Sequence, residues 1–244
     1  MKFRNPLWSI RKRAARLQSF PQVAEHDGAL YVLDPKNWID NRVLARVPYE
    51  VAQIAQVDDL IKKFGITDFI DIGANFGLYA ITFGLLPQIE RVVAFEPVRR
   101  NFNQLCANVF LNRLNDKVTV HRAGLGNARR DTLIHIDPRS TGVSRLDLTT
   151  TSRDTKVFSQ SESIEIHRGD DMLPWQGRAI LAKIDVEGAA LEVLAGLERF
   201  LSTNHGALQV EVTGEEPGVD AFLAARGWKG QGVIGADRYF VRGA

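Results

Sequence analysis

The chain has 244 residues, of which 45% are hydrophobic and 25% charged, and this suits one soluble α/β domain with a short extension rather than a disordered chain. The single cysteine, Cys106, excludes an intramolecular disulfide and a Cys-x-x-Cys zinc site, and it fits a reducing compartment. No apolar run is long enough to span a membrane, so we expect a cytoplasmic protein whose membrane contact, if any, is peripheral.

The formal net charge of +2 conceals an asymmetry between the start of the chain and the rest. Residues 1–20 hold six Lys and Arg side chains and no acidic one. Removing these six from the 31 basic residues leaves 25 against 29 acidic residues, a balance of about −4. The body of the protein therefore lacks the positive field that gathers nucleic acid, and we expect no nucleic-acid partner.

Residues 1–24 are predicted to form a basic amphipathic extension, followed by a single domain over residues 25–244. The extension mixes large apolar side chains with its basic cluster and lacks the continuous apolar stretch of a secretory signal. Two interpretations stay open. The segment is either a basic helix that packs loosely on the domain or frays, or an interfacial helix through which residues 1–20 rest on an anionic membrane.

Turn residues and apolar runs alternate at the start of the domain. Asp27-Gly28 and Asp34-Pro35 bracket a short apolar run and predict a hairpin-like entry over residues 25–48. Between Tyr49 and Phe64 the apolar positions recur at steps of three and four residues, which predicts an amphipathic helix that ends at Gly65.

Strands and helices then alternate along the chain. The predicted strands are 69–72, 91–95, 118–123, 180–185, 208–212 and 238–242, and the predicted helices start near Phe76 and cover 99–111, 189–201 and 219–225. Strand–helix–strand units of this length predict a doubly wound, mostly parallel sheet with a final antiparallel strand.

The middle of the chain interrupts this alternation. Residues 132–137 and 163–167 read as two strands with no helix between them, and residues 138–162 are rich in Ser, Thr and Asp. We interpret this part as an inserted β-ribbon with a long polar loop, and loops of this length in a compact domain are usually functional or disordered.

A glycine turn follows the first strand of the predicted sheet. Asp71 ends the strand, and Gly73 and Gly77 then let the backbone pass close to a ligand at the carboxyl edge of the sheet. The Gly-x-Gly-x-x-Gly spacing that binds a pyrophosphate is absent, which favours a ligand without phosphates. Glu96 ends the next strand, where a carboxylate can accept hydrogen bonds from a ribose, and Pro97 can pack against an adenine.

Three segments of the chain resemble the signature blocks of the FkbM-type methyltransferases: DIGANFGLYA, VVAFEPVRRNFNQLCANVFLN and AKIDVEGAALEVLAGLERF. The likeness runs from about Tyr49 to Val212, with a similar lead-in over residues 28–50. It implies the Rossmann-like class I methyltransferase fold and S-adenosylmethionine as cofactor. It also implies methylation of hydroxyl oxygens on sugars and natural products.

The resemblance assigns roles to individual residues. It implies that Asp71, Gly73, Asn75, Gly77 and Glu96 contact the cofactor, and the full predicted cofactor set adds Glu50, Ala74, Pro97, Ala123 and Gly124. Many methyltransferases carry an acidic residue after the third strand to hold the adenine amine. Here the Ala123-Gly124 step offers only backbone groups and apolar packing.

The resemblance also implies that the place where methyl donor and acceptor meet is lined by Lys183, Asp185 and Glu187. Strand alternation places Lys183 and Asp185 on one side, and Glu187 follows in the turn. An alcohol must lose its proton on attack, so Asp185 or Glu187 is the candidate general base. Lys183 is expected to orient or neutralise this carboxylate. Glu211, at the end of the neighbouring strand, is expected to belong to the same catalytic group.

Two other interpretations of these residues stay open. In the first, Lys183 and Asp185 form an ion pair with a purely structural role at the end of the strand, and Glu187 starts a helix. In the second, the clustered carboxylates hold Mg²⁺. The magnesium site is the less favoured, and the predicted set contains no metal ligand.

The acceptor is expected to be a small molecule or a glycan. Amino-methyltransferases typically carry an Asn/Asp-Pro-Pro-aromatic run where this chain has Asp185-Val186-Glu187-Gly188, so oxygen is the better candidate for the acceptor atom. We expect the acceptor to meet residues 141–144, the turn 169–171 and Trp175.

Two further functions compete with this one. A nicotinamide-dependent oxidoreductase is disfavoured by the absent Gly-x-Gly-x-x-Gly spacing. A non-catalytic adenosyl-binding scaffold is disfavoured because Lys183, Asp185 and Glu187 are all present.

Overall fold

The computed structural model describes residues 6–19, 21–149, 154–212 and 218–243. The helices are α1 (Pro6–Arg16), α2 (Trp38–Leu44), α3 (Val51–Phe64), α4 (Leu78–Gly84), α5 (Arg99–Leu111), α6 (Gly169–Met172), α7 (Ala190–Gly196), α8 (Glu198–Thr203) and α9 (Val219–Ala224). The strands are β1 (Gln22–His26), β2 (Ala29–Leu33), β3 (Asp68–Ile72), β4 (Arg91–Phe95), β5 (Val118–His121), β6 (Gly124–Gly126), β7 (Arg130–Ile136), β8 (Gln160–Arg168), β9 (Ala179–Ile184), β10 (His205–Glu211), β11 (Lys229–Ile234) and β12 (Asp237–Arg242).

A seven-stranded sheet in the order β11-β12-β10-β9-β3-β4-β5 organises the domain. The strands β5, β4, β3, β9 and β10 are parallel, whereas β12 runs antiparallel to both of its neighbours. The chain moves outward from β3 through β4 to β5 and later returns to place β9 on the other side of β3. The order therefore reverses between β3 and β9, where open α/β sheets bind their ligands.

The predicted α/β fold, with its doubly wound sheet, final antiparallel strand and inserted β-ribbon, is confirmed. The ribbon is a separate three-stranded sheet in which β8 lies between β6 and β7. Its polar loop contains short 3-10 turns at Thr141–Val143 and Thr155–Val157, and the loop residues 150–153 lie outside the described residues.

The two faces of the sheet bury separate apolar cores. In β3, Phe69 packs into the core on one face, while Ile70 and Ile72 pack into the core on the other. Every residue of β3 is buried, because helices cover both faces of a doubly wound sheet and leave no side of a central strand to solvent.

The entry segment folds back onto helix α5. Strands β1 and β2 pair in register around Asp27-Gly28, as the predicted hairpin requires. The backbone N–H of Val32 donates to Asn108 Oδ1 at 2.7 Å, and Asn108 Nδ2 donates to the Phe76 carbonyl at 2.8 Å. One buried asparagine thus joins the entry hairpin to the turn that precedes α4.

Helix α1 packs on the domain through one of its sides. The Lys12 carbonyl accepts a hydrogen bond from Asn41 Nδ2 at 3.0 Å, and Ala15 is buried against the domain. The basic segment is therefore an ordered helix over residues 6–16. Across the described parts of the chain, every helix is too short or too polar to cross a bilayer.

The helix predicted over residues 189–201 is two helices, α7 and α8, which meet at Gly196-Leu197. A Cβ on Gly196 would lie 1.8 Å from the carbonyl oxygen of Gly126, so the backbones of α7 and β6 touch. The first turn of α8 is capped by Asp170, which accepts the N–H of Arg199 at 3.1 Å and that of Phe200 at 2.9 Å.

We expect Asp170→Ala to lower the free energy of unfolding by about 2 kcal/mol, because the buried N–H of Phe200 and the partly buried N–H of Arg199 lose a charged acceptor. Urea denaturation measures the change. Asp171→Ala, at the exposed neighbouring position, is the matched control and should change the value by less than about 0.5 kcal/mol. Equal effects of the two variants would contradict the capping role.

Candidate active site

A cavity of about 1010 Å³ opens at the carboxyl ends of the central parallel strands. Its walls come from the ends of β3, β4, β9 and β10, from the start of α3 and from the inserted ribbon. Small-molecule sites typically enclose about 300–1,000 Å³. The cavity therefore has room for a nucleoside-sized ligand together with a second molecule.

The glycine turn after β3 forms the floor of the cavity. Gly73 has φ +84°, and its N–H and that of Ala74 both donate to the Phe95 carbonyl at 3.0 Å. A Cβ on Gly73 would lie 1.8 Å from the carbonyl oxygen of Asp185, so no other residue fits. Gly73, Ala74 and Asn75 line the cavity. Gly77 instead sits at the start of α4 with Leu105 against it.

Glu96 is a buried carboxylate at the end of β4. Its Oε2 accepts the Asn75 N–H and its Oε1 accepts the Val98 N–H, both at 2.8 Å. Burial raises the pKa of Glu96 to about 7, although these hydrogen bonds oppose the shift. The Asn101 side chain also donates to this carboxylate, which keeps acceptor capacity for a ribose hydroxyl because two ionised oxygens can together accept about four hydrogen bonds.

Two of the three residues predicted on the adenine side of the site line the cavity. Pro97 and Gly124 line the cavity, whereas Ala123 is buried next to them and does not. Leu125, Ile134 and Ile166 add apolar wall from the ribbon.

Lys183 is the centre of a buried cluster of charges. Its Nζ lies 2.7 Å from Asp185 Oδ2 and 4.7 Å from the centre of the Tyr79 ring, and only 4% of the residue is exposed. Burial alone would lower the pKa of Lys183, but Asp185, Glu50 and Asp71 together hold it well above its ordinary value. The lysine therefore stays a cation at neutral pH.

Asp71 and Glu50 add negative charge to this cluster. Asp71 Oδ2 accepts the Ala80 N–H at 2.9 Å, while Oδ1 is buried and has no partner among the described residues. Burial raises the pKa of Asp71 to about 6. Glu50 lines the cavity in a left-handed conformation with φ +51°, and burial likewise raises its pKa.

Asp185 and Glu211 share a hydrogen bond at the ends of β9 and β10. Burial acts to raise the pKa of Asp185, but the Lys183 ammonium and the Glu211 hydrogen bond outweigh it and lower that pKa. Burial and the charge of Asp185 raise the pKa of Glu211 to about 10. At neutral pH Glu211 is therefore the protonated member of the pair and donates to Asp185.

Glu187 occupies the turn after β9 and pairs with Arg145. The turn holds Glu187 at φ +46°, and its Oε2 accepts a hydrogen bond from Arg145 Nη2. Arg145 comes from the inserted ribbon, where its backbone pairs with His135. Sequence reasoning missed Arg145, since a basic residue in a polar loop carries no local signal of a partner 42 residues away.

The four predicted catalytic residues all line the cavity: Lys183, Asp185, Glu187 and Glu211. Of the expected acceptor region, residues 141–144 line it too. The turn 169–171 and Trp175 do not, because Asp170 caps α8 and Trp175 lies under the Arg91 guanidinium, 4.4 Å from it. The catalytic roles themselves stay predictions.

Four exposed residues line the entrance of the cavity, and sequence reasoning singled out none of them for this role: Arg16, Lys36, Trp38 and Arg139. We call these four residues the rim. Within the described residues, no group of three or more His, Cys, Asp and Glu side chains is arranged to hold a metal ion.

The Methyltransferase FkbM domain family matches residues 71–228, about two thirds of the chain. The chain is 27% identical over 144 residues to Methyltransferase 1 of Beauveria bassiana (strain ARSEF 2860), which covers 53% of this chain and 57% of that protein. It is also 26% identical over 190 residues to Methyltransferase sdnD of Sordaria araneosa, and this match covers 65% of this chain and 72% of that protein. The first match thus spans little more than half of its relative.

The crystal structure of a methyltransferase from Geobacter sulfurreducens aligns with a TM-score of 0.48 and 12% identity, over 100% of this chain and 91% of that chain. This likeness is too distant to carry a conclusion about activity.

We expect the affinity for S-adenosylhomocysteine, the product form of the cofactor, to fall about tenfold per pH unit below the pKa of Glu96 near 7. Protonation removes the acceptor that the ribose hydroxyls would use. Isothermal titration calorimetry across this range measures the change. Glu96→Gln should bind more weakly and lose this dependence, keeping only the smaller contribution of Asp71 near pH 6. Identical pH profiles would contradict the assignment.

The ligand-free protein should respond to pH in the opposite direction. The raised pKa of Glu96 means that its contribution to stability is fully present at low pH and is lost as the pH rises through about 7. The melting temperature of wild type should therefore fall relative to that of Glu96→Gln as the pH rises from about 4.5 to about 7, and the difference should stay constant above that value.

Proposed function

The chain belongs to the FkbM family of S-adenosylmethionine-dependent methyltransferases, and from this premise we propose that it methylates a hydroxyl oxygen of a carbohydrate or a similar hydroxylated metabolite. The observation that carries the proposal is the hydrogen-bonded series Lys183–Asp185–Glu211, which opens into the same cavity as Glu96. Family membership also argues against the nicotinamide-dependent alternative.

The residues of the cavity fit S-adenosylmethionine. Gly73 leaves a space against the Asp185 backbone that a Cβ would fill, and Glu96 keeps acceptor capacity for a ribose. Asp71 Oδ1 is a buried acceptor without a partner among the described residues, and it suits the α-ammonium group of the cofactor. When bound, the cofactor supplies a methyl group activated by a sulfonium charge.

The charge of the inner cavity favours a cationic ligand. Lys183 is surrounded by Glu50, Asp71 and Asp185, so the carboxylates outnumber the ammonium group that they share. An added positive charge lowers the mutual repulsion of these carboxylates, and the effect is strong in a site that excludes water. S-adenosylmethionine carries two such charges, on its ammonium and its sulfonium.

Asp185 is the residue that best suits removal of the acceptor proton. Lys183 holds it ionised, and at 28% side-chain exposure it reaches the open cavity. Glu211 is protonated at neutral pH and cannot act as the base, while Glu187 already accepts from Arg145. In the proposed reaction the hydroxyl proton passes to Asp185 as the oxygen attacks, and the Glu211 hydrogen bond steadies the carboxylate before transfer.

Alignment supplies most of the remaining rate acceleration. Methyl transfer is an in-line displacement, so fixing the acceptor oxygen and removing its water shell lowers the barrier. The turn 185–188 lacks the proline-rich run that accepts hydrogen bonds from an amine, and this supports an alcohol as the acceptor.

We expect Asp185→Asn to lower turnover by about 10²–10⁴-fold, because the amide cannot take up the proton, while affinity for S-adenosylhomocysteine stays within about tenfold. Incubation of glycans and hydroxylated metabolites from cell extracts with methyl-labelled donor measures turnover, and calorimetry measures affinity. Glu187→Gln is the matched control and should lose far less. Full turnover by Asp185→Asn would remove Asp185 from the role of base.

A further inference from the structure

The rim has a composition unlike the rest of the cavity wall. Every other lining residue is buried or half-buried, while Arg16, Lys36, Trp38 and Arg139 are exposed. Three of these four side chains are cations, and none is acidic. The entrance is therefore positive, whereas the inner wall around Lys183 is rich in carboxylates.

Hydrogen bonds hold the three segments of the rim together. The Trp38 N–H donates to the Arg139 carbonyl at 2.8 Å, which joins the start of α2 to the loop of the inserted ribbon. Asn37 Nδ2 donates to Thr141 Oγ1 at 2.8 Å beside it. Helix α1, which carries Arg16, is fixed to α2 through the Asn41–Lys12 hydrogen bond. The cations are thus presented by ordered backbone.

A neutral alcohol can accept ordinary hydrogen bonds at this entrance, whereas an anion also gains charge attraction to its cations. Guanidinium groups bind phosphate and carboxylate through paired hydrogen bonds, and an ammonium group adds a point charge. Among the described residues, the ion pair of the Arg139 guanidinium is a long contact with Asp137, at 4.0 Å, so this guanidinium is available to a ligand. The Arg42 guanidinium lies over the Trp38 ring, 4.9 Å from its centre, and the residue is still 46% exposed, so the uncovered part of the ring offers an apolar surface to a sugar ring.

We propose that the acceptor carries an anionic group, a phosphate or a carboxylate, which the rim binds while a hydroxyl of the same molecule reaches Asp185. This inference rests on the proposed methyl transfer and narrows its substrate class to anionic hydroxylated compounds.

The test uses methyl-labelled donor and the small-molecule and glycan fraction of a cell extract. We expect the labelled product to bind an anion-exchange resin at neutral pH. Loss of binding after treatment with phosphatase and phosphodiesterase identifies a phosphate, and loss of binding only when the pH is lowered below about 3 identifies a carboxylate. The double variant Arg16→Gln/Arg139→Gln should label at least about tenfold less product at limiting extract, with unchanged affinity for S-adenosylhomocysteine.

The matched control is Arg113→Gln/Arg129→Gln, which removes two exposed arginines that do not line the cavity. A neutral labelled product, or equal labelling by the two double variants, overturns the inference and leaves the methyltransferase activity standing. No labelled product of any kind would contradict the proposed function itself, and this inference with it.

A second, independent observation concerns the outer side of α1. Trp8, Lys12 and Ala15 face the domain, whereas Leu7, Ile10 and Leu17 are 60%, 63% and 89% exposed. With Ala14, the exposed apolar residues recur at steps of three and four, so they form one stripe on the side opposite the packed one.

Basic residues flank this stripe. At 100° per residue, Arg11 and Arg13 project to its two sides. A nucleic acid would use only these cations and leave the apolar stripe in water. A lipid surface uses both, since acyl chains bury the stripe while anionic headgroups pair with the arginines. We infer that α1 rests on an anionic membrane surface.

Co-sedimentation with vesicles tests this inference. The full chain should bind vesicles of phosphatidylcholine with phosphatidylserine and bind pure phosphatidylcholine far less. Ile10→Ser/Leu17→Ser should weaken binding at least about tenfold. Val23→Ser/Leu133→Ser removes two exposed apolar side chains outside α1, at 61% and 55% exposure, and should have no effect. Equal binding by both variants, no vesicle binding, or a dimer that only the first variant abolishes overturns the inference.

Discussion

The contact between the backbone at Gly73 and the carbonyl oxygen of Asp185 sets the geometry of the whole site. Strands β3 and β9 are neighbours, and the Asp185 N–H donates to the Ile72 carbonyl at 2.9 Å. Because the turn after β3 touches the end of β9 without an intervening side chain, the proposed cofactor turn and the proposed catalytic carboxylate form one rigid unit. The reacting groups are then aligned by the sheet itself, and not by flexible loops.

The same sheet edge gathers several charges that burial would disfavour singly. The site tolerates them because one lysine is shared among three carboxylates and because Glu211 keeps its proton. A buried ion pair of this kind contributes little net stability, since desolvation offsets most of the attraction. Stability therefore does not account for the cluster, whereas the proposed proton transfer does.

Local patterns predicted most of the fold. The strand 91–95 and the helix 99–111 have the predicted bounds, because apolar periodicity specifies each of them within a short window. Sequence patterns did not predict helix α2, although Asn37 caps its first turn. They also did not predict strand β11, because its glycines interrupt the alternation of apolar and polar residues. Residues at strand ends predicted the inner cavity, whereas the Arg145–Glu187 pair and the rim depend on contacts between distant segments. Such contacts leave no periodic signal in a single sequence.

The pairing of Arg145 with Glu187 limits how the inserted ribbon can vary. The ribbon supplies part of the cavity wall, where the acceptor is proposed to bind, so exchanging it for the ribbon of a relative is an obvious route to a new specificity. However, the exchange also removes the guanidinium that neutralises a half-buried carboxylate in the turn after β9. A chimaeric enzyme therefore has to carry an arginine at the equivalent loop position, or replace Glu187 at the same time, for the graft to leave the transfer chemistry intact.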